Sequence, residues 1–187
     1  MRYSVILADP PWRFTVWSAK GTGRSADQHY PTMSMEEIKS LPVDVLAADN
    51  CVLFLWACWP MIDQALDVIR AWGFKYKTRA FTWAKLTPSG LSFHFGMGYY
   101  TRANDEPCLL ATPGRMPVAD HGVPSLLVSP MREHSRKPDE QYGLIERLYP
   151  QGPYLELFAR RKRDGWDSWG NEIASDISLA EIRRDAS

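Results

Sequence analysis

Short apolar runs typical of buried strands alternate along this chain with segments whose apolar residues recur at helical spacing. Residues 4–8, 52–56 and 154–159 are such runs, and residues 60–72 carry a helical apolar stripe. Strands that alternate with helices form mostly parallel sheets with helices on both faces. The sequence therefore predicts an α/β fold of this kind, in which ligands bind at the carboxyl ends of the strands.

The length and the charge balance limit the classes of function. The chain has 187 residues, enough for one domain with a full core. Lys and Arg together number 22, as do Asp and Glu, so the formal net charge is zero. Because a general nucleic-acid binder is usually basic, we expect any nucleic-acid contact to be local or shared with a partner subunit.

The cysteine, histidine and hydropathy patterns argue against a metal site and a membrane anchor. The three cysteines lack metal-ligand spacing, and the four histidines are scattered. The longest apolar stretch, residues 51–59, is too short to span a bilayer, and the first residues lead into a strand without a signal pattern. We predict a cytoplasmic protein with no metal ion and no membrane contact.

The sequence Asp9-Pro10-Pro11-Trp12 directly follows the first apolar run. The two prolines end the strand and have no backbone N–H, which leaves a carboxylate, carbonyl oxygens and an indole. The oxygens suit the two N–H groups of a planar amine such as that of adenine, and the indole suits its ring. A solvent-exposed turn followed by a core tryptophan explains these four residues equally well, so other segments have to decide.

Several short blocks, in one order along the chain, resemble the MT-A family of adenine N6-methyltransferases over about residues 3–173. The blocks are Ala8-Asp9-Pro10-Pro11-Trp12, Tyr30-Pro31-Thr32-Met33-Ser34, Leu53-Phe54-Leu55-Trp56, Trp83-Ala84-Lys85, Lys137-Pro138-Asp139-Glu140, Gly143-Leu144-Ile145-Glu146-Arg147, Leu155-Glu156-Leu157-Phe158-Ala159-Arg160 and Trp169-Gly170-Asn171-Glu172. Such a series is more specific than any single block.

The resemblance implies a Rossmann-like methyltransferase fold in a permuted order, in which the catalytic motif precedes the cofactor-binding strand. It also implies that a methyl group passes from S-adenosylmethionine to the N6 amine of adenine in nucleic acid. We expect DNA rather than RNA, because the chain is compact and resembles bacterial and phage members. Residues 1–173 are then the methyltransferase domain, and residues 174–187 are a C-terminal tail.

The resemblance also assigns roles to individual residues. Asp9 and Pro10 are expected to hold the target amine, and Trp12 is expected to help stack the base. The catalytic group is Asp9, Pro10, Pro11 and Trp12. The residues expected to bind the cofactor are Asp9, Lys137, Phe158, Arg160, Asn171 and Glu172.

Three more residues are candidates for nucleic-acid contacts. Tyr30 is a candidate for base stacking, and Arg132 and Arg136 are candidates for phosphate contacts. For Tyr30 the alternative is ordinary packing, and for the two arginines it is a solvated charged loop. Whether the chain forms a homodimer or joins a partner subunit stays open.

The sequence departs from the family pattern after Arg160. The loop there reads Arg161-Lys162-Arg163, whereas the messenger-RNA enzymes carry a His-Asn pair, so cofactor contacts from this loop are in doubt. Two alternative functions also stay open. One is a catalytically silent, nucleic-acid-binding subunit of a methyltransferase complex, and the other is an amino-methyltransferase acting on cytosine N4 or on a protein glutamine.

Overall fold

The computed structural model describes residues 2–12, 33–98, 100–133 and 136–185, and these form one seven-stranded sheet flanked by helices. The strands are β1 (Tyr3–Ala8), β2 (Ala47–Trp56), β3 (Lys75–Leu86), β4 (Asp105–Thr112), β5 (Leu126–Pro130), β6 (Tyr154–Leu157) and β7 (Trp166–Trp169). The helices are α1 (Met35–Lys39), α2 (Val43–Leu46), α3 (Ile62–Ala71), α4 (Glu140–Leu148) and α5 (Leu179–Asp185), with a 3-10 turn at Trp59–Met61.

The order of the strands in the sheet is β5-β3-β4-β2-β1-β6-β7. The central strand β1 runs parallel to both β2 and β6, and the pairs β6–β7 and β3–β5 are also parallel. Strand β4 alone runs antiparallel to its neighbours, β2 and β3, as a strand can when no crossover helix precedes it. The prediction of an α/β fold with a mostly parallel sheet is confirmed.

The register of the central strands brings their carboxyl ends to one edge of the sheet. Ala8, the last residue of β1, pairs with Leu55 of β2 on one side and with Leu157 of β6 on the other. Since β4 is antiparallel, its first residue, Asp105, lies at this same edge. The residues that follow β1, β2 and β6 therefore lie close together at this edge.

Both faces of the sheet are covered by apolar cores. On one face, alternate residues of β1 such as Ile6 pack with Ile69 of α3. On the other face, Leu7 belongs to a core that includes Ile145 of α4. Because the central strands are buried on both faces, their sequences are continuous apolar runs rather than alternating ones.

The segment after residue 173 contributes to the fold through α5. Leu179 of this helix is only 7% exposed and lies in the core on the α3 face. The boundary between a methyltransferase domain and a C-terminal tail stays a prediction. Within the described residues, no helix is long and apolar enough to cross a membrane.

Candidate active site

Asp9 lies at the end of β1, in the middle of the edge formed by the strand ends. Its side chain is 36% exposed, and its Oδ2 accepts a hydrogen bond of 2.6 Å from Nζ of Lys137. Lys137 comes shortly before α4 and is itself only 9% exposed. These two predicted site residues, 128 positions apart in sequence, are thus in direct contact.

The ion pair continues into a short chain of buried charges. Nζ of Lys137 lies 3.3 Å from Oε2 of Glu106, and Oε1 of Glu106 accepts a hydrogen bond from Lys85. The Trp56 ring lies 5.6 Å from the Lys137 ammonium, within range for a cation–π contact. The order along this chain of charges is Lys85, Glu106, Lys137 and Asp9.

The pKa values of Lys137 and Glu106 are shifted by the attraction between these charges. Burial by itself lowers the pKa of Lys137, but the charges of Asp9 and Glu106 outweigh it and raise that pKa above its ordinary value. For Glu106, burial raises the pKa, and the nearby Lys137 and Lys85 ammonium groups outweigh it, so the pKa falls below its ordinary value. Lys137 therefore stays charged and keeps the Asp9 carboxylate in one orientation.

The rest of the Asp9-Pro10-Pro11-Trp12 motif forms a tight turn against the core. The Trp12 backbone N–H donates to the Pro10 carbonyl at 2.8 Å, and the Trp12 indole N–H donates to the Trp56 carbonyl at 2.9 Å. The Trp12 side chain is 7% exposed. The Pro10 carbonyl retains a second lone pair. The structure gives Trp12 a packing position, and its role in base stacking stays a prediction.

A cavity of about 620 Å³ opens beside Asp9, over the ends of β1 and β6. Four other predicted cofactor residues line it with Asp9, namely Lys137, Phe158, Arg160 and Glu172. Asn171 is next to Glu172 in sequence but is not among the lining residues. The structure thus brings five of the six predicted cofactor residues to one cavity.

Phe158 and Gly170 hold the cavity wall in an unusual backbone arrangement. Phe158 has a φ of +63°, a left-handed conformation that bulky residues rarely adopt and that is typical of functional sites. A Cβ atom at Gly170 would lie 1.9 Å from the Ala159 carbonyl oxygen, so only glycine fits there. Arg160 and Glu172 meet across this wall, with Nε and Oε1 3.6 Å apart.

Glu156 also lines the cavity, and the sequence analysis did not assign it a role. It lies on β6, where both of its carboxylate oxygens lie about 3 Å from the Tyr142 hydroxyl of α4, at 3.0 and 3.1 Å. The signal that could have identified it is a carboxylate in the middle of a buried apolar strand, which costs free energy unless it has a partner or a function.

Burial raises the pKa of Glu156 to about 7, where the Tyr142 hydrogen bond opposes the rise and the Asp9 charge adds to it. A raised carboxyl pKa favours the neutral form in the folded state, so its contribution to stability is complete below about 4.5 and is lost as the pH rises through 7. The Glu156→Gln variant should therefore match the wild type at pH 4.5 and exceed it at pH 8, by up to roughly 3 kcal/mol. Urea unfolding at both pH values measures this difference.

The exposed Glu140→Gln variant is the matched control for this measurement. It removes an exposed carboxylate from the first turn of α4, and it should not reproduce the gain in stability of Glu156→Gln at pH 8. A Glu156→Gln variant that is no more stable than the wild type at pH 8 would contradict the assignment of the raised pKa to Glu156.

The arginines predicted to contact nucleic acid form hydrogen bonds within the loop before α4. Arg132 donates to Asp139 and to the Lys137 carbonyl, both at 2.6 Å. Arg136 donates to the same Asp139 at 2.7 Å and also lines the cavity. These bonds order the loop that carries Lys137, and phosphate contacts by the two arginines stay a prediction. Tyr30 lies outside the described residues.

The basic loop after β6 borders the cavity. Arg161, Lys162 and Arg163 all line it, and each has an acidic partner. The Arg163 guanidinium lies 4.6 Å from the centre of the Tyr142 ring. Tyr142 is the residue whose hydroxyl donates to Glu156. Within the described residues, no group of histidine, cysteine and acidic side chains could hold a metal ion.

Comparisons with known proteins identify relatives along most of the chain. A family model described as MT-A70 matches residues 3–172. The type II methyltransferase M.MunI of Mycoplasma sp is 34% identical over 189 residues, which cover 92% of this chain and 78% of that protein. The N(6)-adenosine-methyltransferase MT-A70-like protein of Arabidopsis thaliana is 30% identical, over 91% of this chain and 24% of its own length. The human N(6)-adenine-specific methyltransferase METTL4 is 32% identical, over 91% of this chain and 37% of its own length.

Proposed function

This chain belongs to the MT-A70 family, and we propose that it transfers a methyl group from S-adenosylmethionine to the N6 amine of adenine in nucleic acid, with DNA preferred over RNA. The observation that carries the proposal is the Asp9 carboxylate, held by Lys137 at the end of β1 and open to the adjoining cavity. The relatives named above as N6-methyltransferases of adenine or adenosine support the same reaction class here.

The residues around the cavity have the chemistry that this cofactor needs. S-adenosylmethionine supplies an electrophilic methyl group on a positively charged sulfur. The carboxylate of Asp9 suits its cationic groups, and Lys137 and Arg160 suit its carboxylate. The Glu172 carboxylate suits the ribose hydroxyls, and Gly170 allows the backbone close approach that shapes the wall.

Asp9 and Pro10 orient the acceptor. The Asp9 carboxylate accepts one N–H of the adenine amine, and the free lone pair of the Pro10 carbonyl accepts the other. These acceptors localise the nitrogen lone pair, which is otherwise delocalised into the ring, and direct it toward the methyl group. Holding two reactants in line contributes much of the rate of such a bimolecular step. After transfer, the amine loses a proton to Asp9 or to water.

The preference for DNA rests on the compactness of the chain, which is close in length to the type II methyltransferase M.MunI. The alignment spans 78% of that protein, whereas it spans 24% of the Arabidopsis protein that is named for adenosine. An adenine within a duplex has to be flipped out of the stack before it can reach Asp9. The oligomeric state and the cytoplasmic location stay predictions.

Methyl transfer from labelled S-adenosylmethionine to matched single- and double-stranded DNA and RNA tests the proposal. We expect label in DNA, and mass analysis of the nucleosides should identify it as N6-methyldeoxyadenosine. Label on cytosine N4 or on a protein glutamine would replace the proposal by the second alternative. Cofactor and nucleic-acid binding with no transfer to any substrate would identify a silent subunit.

A further inference from the structure

Trp59 has an exposed indole with a fixed orientation. It follows β2 at the edge that carries Asp9, its side chain is 52% exposed, and its indole N–H donates to Oδ2 of Asp105 at 2.9 Å. Other tryptophans of the described chain lie in the cores: Trp12, Trp56, Trp72, Trp83 and Trp166. An exposed indole whose orientation is fixed by a hydrogen bond presents a flat apolar face that is available for stacking.

The position of Trp59 relative to the cavity determines which part of the substrate can contact its ring. The cavity lies over β1 and β6. Trp59 follows β2, and Asp105 begins β4, so both lie beyond β1 in the other direction. Neighbouring strands are about 4.8 Å apart, so the end of β2 is one strand spacing from the end of β1, and Asp105 of β4 is two strand spacings from it. In-line transfer requires the amine to approach the methyl carbon from the side opposite its sulfur. With the donor in the cavity over β1 and β6, the acceptor strand comes from the side of β2, where Trp59 lies.

We propose that Trp59 stacks on the nucleobase next to the target adenine and so positions the strand at Asp9. This inference rests on the proposed function and assigns a substrate contact to a residue outside the Asp9-Pro10-Pro11-Trp12 motif. A base stacks on an indole irrespective of its sequence. The Asp105 carboxylate beside the ring repels phosphate, so the nucleic acid presents a base there rather than its backbone. Stacking also suits a chain whose net charge is zero.

The first test measures binding of a fluorescently labelled single-stranded DNA by anisotropy, in the presence of S-adenosylhomocysteine. Trp59→Ala should weaken DNA binding roughly five- to a hundredfold and leave S-adenosylhomocysteine binding unchanged. Tyr76→Ala is the matched control, since Tyr76 is 48% exposed but lies near the start of β3, at the opposite edge of the sheet. Its affinity for DNA should equal that of the wild type.

A DNA with an abasic site beside the adenine separates stacking from a general loss of structure. The wild type should bind this DNA as weakly as Trp59→Ala binds the intact DNA, and the variant should show no further loss. Asp105→Ala should give an intermediate loss because the indole is no longer held, and Asp105→Asn, which keeps an acceptor oxygen, should restore binding.

The outcomes distinguish this inference from the proposed function. Trp59-dependent DNA binding without methyl transfer to any substrate would support the inference and remove the proposed function. Robust transfer with wild-type DNA affinity in Trp59→Ala would overturn the inference alone. Additive losses for the variant and the abasic site would also overturn it, as would a change of oligomeric state by light scattering that accounts for the weaker binding.

Discussion

Replacing Asp9 with alanine should lower the rate of methyl transfer at least about a hundredfold, the loss typical of removing one preorganised electrostatic group from an active site. The variant loses the acceptor of one amine N–H and the charge that stabilises the developing positive charge on nitrogen. The rate with saturating cofactor and DNA measures the effect, and nucleoside mass analysis confirms that the residual product is N6-methyladenine.

Asp9→Asn separates the charge of the carboxylate from its shape. The amide oxygen still accepts a hydrogen bond, but the charge that faces Lys137 at 2.6 Å is lost. Its rate should therefore lie between those of the wild type and Asp9→Ala, and both variants should remain folded because Lys137 retains Glu106 as a partner. An Asp9→Ala protein with more than about a tenth of the wild-type rate would exclude Asp9 from the role assigned here.

The central strands and α3 can be predicted from the sequence because local pattern and burial agree there. The start of β3 cannot be predicted in this way. Alternation predicts a strand over residues 81–85, whereas β3 runs from Lys75 to Leu86. Its first half is exposed and polar and is held by backbone pairing to β4, so no apolar pattern marks it. The brief strand β7, Trp166–Trp169, likewise depends on β6 beside it.

The active site shows the same division between local and tertiary signals. The residues around Asp9 predict its role through the proline-rich motif that follows a strand, whereas the role of Lys137 is predicted only by the family resemblance of residues 137–140. Neither signal identifies Glu106 or Glu156, since their partners come from distant segments and only the folded sheet brings them together. For Glu156 the local signal is a charged residue inside an apolar strand, and it does not say which residue is the partner. Glu106 stands beside Asp105 at the start of β4, where a carboxylate attracts no notice.

Glu106→Gln should be the most destabilising single substitution in this site, by about 3 kcal/mol, because removing one partner of a buried ion pair leaves the other charge uncompensated. Here Lys85 would lose its Glu106 partner, and Lys137 would keep only its ion pair with Asp9. Urea unfolding at pH 7 measures the loss. Methyl transfer should fall as well, since Glu106 would no longer help to fix Lys137 against Asp9.

The pH dependence and a double variant test whether charge is the cause. The pKa of Glu106 is lowered in the folded protein, so its stabilisation is present above its ordinary value near 4.5 and is lost as the pH falls through the lowered folded value. The difference between Glu106→Gln and the wild type should therefore shrink in acid. Adding Lys85→Met removes the ammonium group that loses its Glu106 partner and should recover part of the stability. If the double variant is less stable than Glu106→Gln by the full cost of a separate mutation, packing rather than charge holds this site together, because independent effects add and coupled charges do not.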